Sequence, residues 1–162
     1  MKLLQPANPH EIIRAAPIVF GLHVAEEAPN LVKWFNTLVA DNISQEFFLV
    51  VNGVGFAITL FITALAANTR ENASIILALA WLSFLMFANG LVHLIATIVL
   101  AAYSPGVVTS VLLYLPYFVW FVWAVIKTKK FSTATITATV LVGSFPMFLH
   151  GYLIVFKGSR LF

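Results

Sequence analysis

The sequence predicts an all-α fold: a bundle of five transmembrane helices with one short amphipathic helix on the membrane surface. Three observations lead there. Hydrophobic residues make up 61% and charged residues 9% of the 162-residue chain, with a mean hydropathy of +0.98, whereas a soluble domain is roughly 25% charged. Apolar runs of about twenty residues recur, each long enough at about 1.5 Å per residue to cross a hydrocarbon core of about 30 Å. Short loops rich in Pro, Gly, Asn and Lys separate them.

The first span is expected over residues 9–28. Asn8 suits the capping position, Pro9 the first helical position, and Glu11 the positive end of the helix dipole. Pro17 is expected to kink this helix and Pro29 to stop it. Residues 1–6 lack the apolar run and small-residue cleavage site of a signal peptide, so the first helix is expected to be retained. Residues 30–44 place Leu31, Val32, Trp34, Phe35, Leu38 and Val39 at helical spacing against Lys33, Asn36, Asp41 and Asn42. That stretch is too short and polar to span, and Trp34 suits the headgroup level, so it reads as the interfacial helix.

Further spans are expected over residues 46–67, 73–103, 107–126 and 131–156. The third, at about 30 residues, is long enough to tilt or protrude. Tyr103-Ser104-Pro105-Gly106 breaks the chain after it, and Pro116 and Pro146 lie inside the fourth and fifth. Five spans put the termini on opposite sides. With the N-terminus cytoplasmic, Lys2, Arg14, Arg70, Lys127, Lys129 and Lys130 lie inside against Lys33, Lys157 and Arg160 outside, a six-to-three bias that favours this orientation. The expected location is a bacterial inner membrane.

Composition also excludes functions. A net charge of +3 comes from basic residues scattered over many loops, which form no patch dense enough to track nucleic-acid phosphates. The chain has no cysteine, so any metal must sit on nitrogen and oxygen ligands.

Against this background His23, Glu26 and Glu27 in the first span, His93 in the third and His150 in the fifth stand out. An ionisable group at the bilayer centre costs about 2.5 to 3.5 kcal/mol on insertion scales, so such groups pair or bind something. Spans one, three and five run in the same direction and carry their polar residues in their later halves; span two runs oppositely and carries Glu46 and Asn52 early. All of these approach one face of the membrane. His23 shares a helix face with Glu26 (i+3) and Glu27 (i+4), and Asn89 with His93 (i+4). Imidazole with carboxylate is a ligand set for zinc or non-haem iron, and His23, Glu26, Glu27, His93 and His150 are the candidate ligands. The competing readings are solvated glutamates at the helix end beside Pro29, an interhelical hydrogen bond at Asn89 and His93 eased by Gly90, and an interfacial His150 beside Tyr152.

His23-Val24-Ala25-Glu26-Glu27 resembles the signature of the family of small integral membrane proteins named for its H-x-x-E-E motif. Asn89-Gly90-Leu91-Val92-His93 and Tyr103-Ser104-Pro105-Gly106-Val107-Val108-Thr109 fit two further patterns of that family, N-x-x-x-H and Y-x-P-G-x-x-T. The resemblance points to His23, Glu26, Glu27, Asn89, His93, Tyr103 and Thr109 and implies no particular chemistry. Glu27, Asn89 and Tyr103 are the candidates for catalytic work.

The leading expectation is a metal-dependent membrane enzyme acting on a lipid-like substrate in the outer half of the bilayer. Zinc would suit hydrolysis or isomerisation and iron oxidation, with one glutamate a ligand and the other a general base. The alternatives are a transporter or proton-relay protein without metal, and a non-catalytic lipid-binding or assembly factor. Gly and Ala in several spans leave room for a homo-oligomer.

Overall fold

A computed structural model describes residues 8–40, 42–69 and 71–162. Lys2 and Arg70, used in the orientation count, Asp41 of the amphipathic stretch and the residues read for a signal peptide lie outside the described residues. Every regular element described is helical. We label them α1, the run from Pro9 to Glu27; α2, Leu31–Leu38; α3, Gln45–Thr69; α4, Asn72–Val99; α5, Val107–Lys127; and α6, Thr133–Lys157.

Four of these, α3 to α6, are long and apolar enough to cross a membrane, which suggests a membrane protein. Their outward faces agree: Leu49, Val50 and Phe61 on α3, Leu112 on α5, and Val142 and Phe145 on α6 are exposed. Helix α1 is not among the four, because it is not one unbroken helix. Pro17 lacks an N–H for the Ile13 carbonyl, and the run tightens to a 3-10 turn at Ile13–Ala15 before resuming as Ala16–Glu27. Neighbouring helices take up the released carbonyls: Tyr117 Oη of α5 donates to Ile12 O at 2.8 Å and Thr63 Oγ1 of α3 to Ile13 O at 3.4 Å. His10 lies buried there, its Nδ1 2.6 Å from Ala66 O of α3.

Helix α2 is shorter than the amphipathic pattern suggests. Val39 turns to extended backbone, and Asn36 meets both Ile43 N–H and Ile43 O at 2.9 Å through its side-chain amide, replacing helical partners with a local loop. Phe35 and Val39 pack against Ile154 of α6. Helix α4 ends at Val99 rather than near residue 103, because Ala101 takes a positive φ of 49° and Ser104 N–H turns back to Thr97 Oγ1 at 3.3 Å.

Two wide π-type turns interrupt the long helices, Ser83–Ala88 in α4 and Ser110–Tyr114 in α5. An extra residue in a turn rotates the face that follows by about 100°. Asn89 and His93 leave the first of these turns directed at α1.

Helix α6 packs against α4 at very short range. A Cβ on Gly143 would lie 2.5 Å from Ala80 O and 3.0 Å from Ala80 Cα, backbone atoms that cannot swing aside. Gly143→Ala is therefore expected to lower stability. Overpacking costs about 1 to 3 kcal/mol and outweighs the roughly 0.5 to 1 kcal/mol that alanine contributes within a helix. Thermal unfolding in detergent measures it, and an unchanged or raised midpoint would refute the packing account.

While α6 rests on α4 and α3 rests on α1 and the first half of α4, a cavity of about 430 Å³ lies among α1, α3, α4 and α6. Its lining is mainly aromatic and aliphatic, with Phe20, Phe48, Trp81, Phe84 and Met147 among its walls.

Candidate metal centre

Glu27 is buried, and its Oε1 lies 3.3 Å from His23 Nε2, one helical turn earlier, and 3.0 Å from His93 Nε2 on α4. One ligand atom from each of these three residues lies within 4.8 Å of the other two. A four-coordinate ion with ligands at about 2.0 to 2.1 Å holds its donor atoms roughly 3.3 Å apart, and both carboxylate–imidazole separations are of that size. A carboxylate removed from water requires a positive partner. Two imidazole nitrogens and one carboxylate oxygen thus form a buried cluster that could hold a metal ion.

Each imidazole is held from behind. His23 is fully buried, with Tyr114 stacked on it at 4.0 Å between centroids, and its Nδ1 lies 2.8 Å from Thr109 Oγ1. His93 Nδ1 lies 3.1 Å from Ser104 Oγ. Asn89 Nδ2 approaches His23 Nε2 at 3.2 Å. A hydrogen-bond partner at the nitrogen turned away from the ion is what orients a metal-binding histidine, the place that Thr109 and Ser104 take here, whereas Asn89 meets the nitrogen that faces the cluster. Glu27, Asn89, His93 and Ser104 line the cavity, whereas His23 does not, so the cluster forms part of one polar wall of an otherwise apolar space.

The turn between α4 and α5 covers the cluster. Gly106 has a φ of 100°, and a Cβ there would lie 2.8 Å from His23 Cε1 and 2.9 Å from His93 Cε1. Only glycine provides both the dihedral and the approach. Pro105 and Ser104 are buried beside it.

Glu26 faces away from the cluster and binds this turn. Its Oε1 accepts from Tyr103 Oη at 2.6 Å and Val108 N–H at 3.1 Å; its Oε2 accepts from Thr109 N–H at 2.7 Å and Thr109 Oγ1 at 2.5 Å. Four donors occupy the roughly four acceptor sites of a carboxylate, and the two N–H groups belong to the first turn of α5, where a negative charge is favoured. Glu26 is thereby occupied, does not line the cavity, and leaves Glu27 as the carboxylate of the cluster. No free second glutamate remains there for a general base. Tyr103, about half exposed, reaches Glu26 rather than the cavity. The bond to the Glu26 carboxylate pushes its hydroxyl up to about 12, so it remains a donor at neutral pH.

His150 lines the same cavity but lies outside the three-residue cluster. Its ring stacks on Phe162 at 4.0 Å, and its Nδ1 accepts from Leu161 N–H at 3.3 Å. Two contributors, Ser104 and Tyr114, escaped the sequence reading, and a third, Thr109, was named without a role. Ser104 and Tyr114 carried no signal beyond turn and core composition. Thr109 was marked only as a family position, and its spacing from Tyr103 was the available clue.

No curated protein and no solved structure matches the chain. A family model covers residues 14–121, which include His23, Glu26, Glu27, Asn89, His93 and the Tyr103-to-Thr109 turn, and which end before His150. The chain belongs to the family described as "Protein of unknown function with HXXEE motif".

Proposed function

We propose that the protein is a metal-dependent integral membrane enzyme in which His23, His93 and Glu27 hold a divalent ion, zinc or iron, at the polar wall of a cavity that receives a lipid-like substrate. The observation that carries this reading is the convergence of two imidazoles and one carboxylate where an apolar cavity has its polar groups. Two histidines and a glutamate are the ligand set of some catalytic zinc sites, and two histidines with a carboxylate that of non-haem iron oxygenases; both leave a position open to substrate. When bound, the ion would polarise a substrate oxygen or activate a water. Asn89 is placed on the cavity wall to orient the oxygen concerned, and the aromatic lining holds the chain and excludes water.

In this reading α1 is a fifth span. Pro9 to Glu27 covers about 28 Å at about 1.5 Å per residue, and its breaks are satisfied by α3 and α5. The N-terminus is cytoplasmic, α2 lies at the outer interface, and the metal cluster sits in the outer half of the bilayer.

The test is an untargeted mass-spectrometric comparison of lipids around the protein in nanodiscs made from a total membrane lipid extract, with zinc or iron(II) supplied. At least one lipid is expected to change mass with wild-type protein and to remain unchanged with Glu27→Gln. A metal-loaded protein that alters no lipid in either arm would count against the enzyme, and a lipid retained unaltered in stoichiometric amount would favour a binding role.

A further inference from the structure

We infer that the first glutamate of the H-x-x-E-E motif acts through Thr109 to fix the tautomer of His23, which makes Glu26 and Thr109 positioning residues of the centre and not members of its ligand set. The inference rests on the reading of His23 as a ligand through Nε2.

Counting protons leads to it. Thr109 Oγ1 has a single hydrogen and three polar neighbours: Glu26 Oε2 at 2.5 Å, His23 Nδ1 at 2.8 Å and Gly106 O at 3.2 Å. The carboxylate is both the nearest and the only charged acceptor, and 2.5 Å falls in the range of charge-assisted O–H···O⁻ bonds. The hydroxyl proton therefore goes to Glu26. What Thr109 presents to His23 is then a lone pair, so His23 Nδ1 must carry a hydrogen. Nε2 is then the nitrogen through which the ring can bind an ion, since a ligating imidazole keeps one N–H.

The far side of the ring agrees. Nε2 is the atom turned toward Glu27 Oε1 at 3.3 Å, the side on which an ion held by both would take its lone pair, and Asn89 Nδ2 lies 3.2 Å from it. A ligating histidine needs this arrangement: a bare nitrogen toward the ion and an N–H held by an acceptor behind. The acceptor here is a neutral hydroxyl whose own orientation is set by a carboxylate. That carboxylate is in turn fixed by Tyr103 Oη and by the N–H groups of Val108 and Thr109. One side chain thus both holds the covering turn against the helix and keeps the N–H of His23 on the nitrogen turned away from the cluster. The two adjacent glutamates divide the labour: the i+4 carboxylate faces the ion, and the i+3 carboxylate faces the turn.

The experiment reads the tautomer directly, by nitrogen NMR of ¹⁵N-histidine-labelled, metal-free protein in detergent, with the His23 signals assigned by their loss in His23→Asn. Wild-type protein and Thr109→Ser, which keeps the hydroxyl, are expected to show a protonated Nδ1. Thr109→Val, nearly isosteric and without the hydroxyl, is expected to lose that preference. Zinc affinity is expected to fall about 10- to 100-fold in Thr109→Val, the usual range for such groups, and to stay within a few-fold of wild type in Thr109→Ser. Should Thr109→Val fail to fold, Thr109→Ala, smaller and also without the hydroxyl, serves, with a shift in the same direction. A wild-type His23 without a proton on Nδ1, or a Thr109→Val protein with unchanged Nδ1 protonation and affinity, overturns the inference. Because the tautomer is read without metal, a wild-type protein that binds no zinc overturns the proposed function while leaving this test intact.

Discussion

Gly106→Ala is expected to abolish metal binding and to cost about 2 to 5 kcal/mol of stability. Two costs add. A φ of 100° is unfavourable for alanine by roughly 1 to 2 kcal/mol, and a Cβ at 2.8 and 2.9 Å from two imidazole carbons overpacks the site by about 1 to 3 kcal/mol. Neither ring can retreat: His23 has Tyr114 stacked on it, and His93 is buried on α4. The turn must lift instead, and Glu26 resists with four hydrogen bonds. The control is Gly53→Ala in α3, where a Cβ would meet nothing within 4 Å, so that stability should be unchanged or slightly raised. Thermal unfolding and zinc titration of both variants check this. Equal behaviour of the two would contradict the account of the turn.

The second large effect separates neighbours in sequence. Glu27→Gln is expected to leave a folded protein without metal affinity, a loss beyond the roughly 100-fold that orienting groups account for, because the amide keeps the shape of the carboxylate but not its charge. Glu26→Gln is expected to weaken metal binding less and stability more. It removes the charge and replaces one carboxylate oxygen by an NH2 group that cannot accept, so two of the four hydrogen bonds lose their acceptor, and bonds to a charged group contribute about 1.5 to 3 kcal/mol each. Metal titration and unfolding of the two variants under the same conditions give the ranking. The reverse order would mean that the roles of the two glutamates have been exchanged.

Much of this arrangement was legible in the sequence for definite reasons. Long apolar runs between Asn, Lys and Pro-Gly breaks located α3 to α6 to within a few residues, since only hydrophobic length sets such a boundary. Helical spacing placed His23 and Glu27 on one face and Asn89 with His93 on another, and their depths brought those faces together. What stayed hidden depended on contacts remote in sequence. The spacing of His23, Glu26 and Glu27 admits either glutamate as a ligand; the choice is made by donors some 77 to 83 residues later in the chain. The π-type turns leave the apolar composition of α4 and α5 unchanged, so no periodicity announces them. The break in α1 was expected as a kink at Pro17 but lies just before it, where the missing N–H releases a carbonyl. His150 lines the cavity that the cluster borders, yet its ring is held by Phe162 and Leu161.

Metal content decides the central claim most directly. Detergent-purified protein is stripped with chelator, supplied with zinc or iron(II), separated from free ion and measured by element-resolved mass spectrometry. The geometry predicts about one ion per wild-type chain and almost none in Glu27→Gln. Folded wild-type protein that retains no ion from either supply would contradict it.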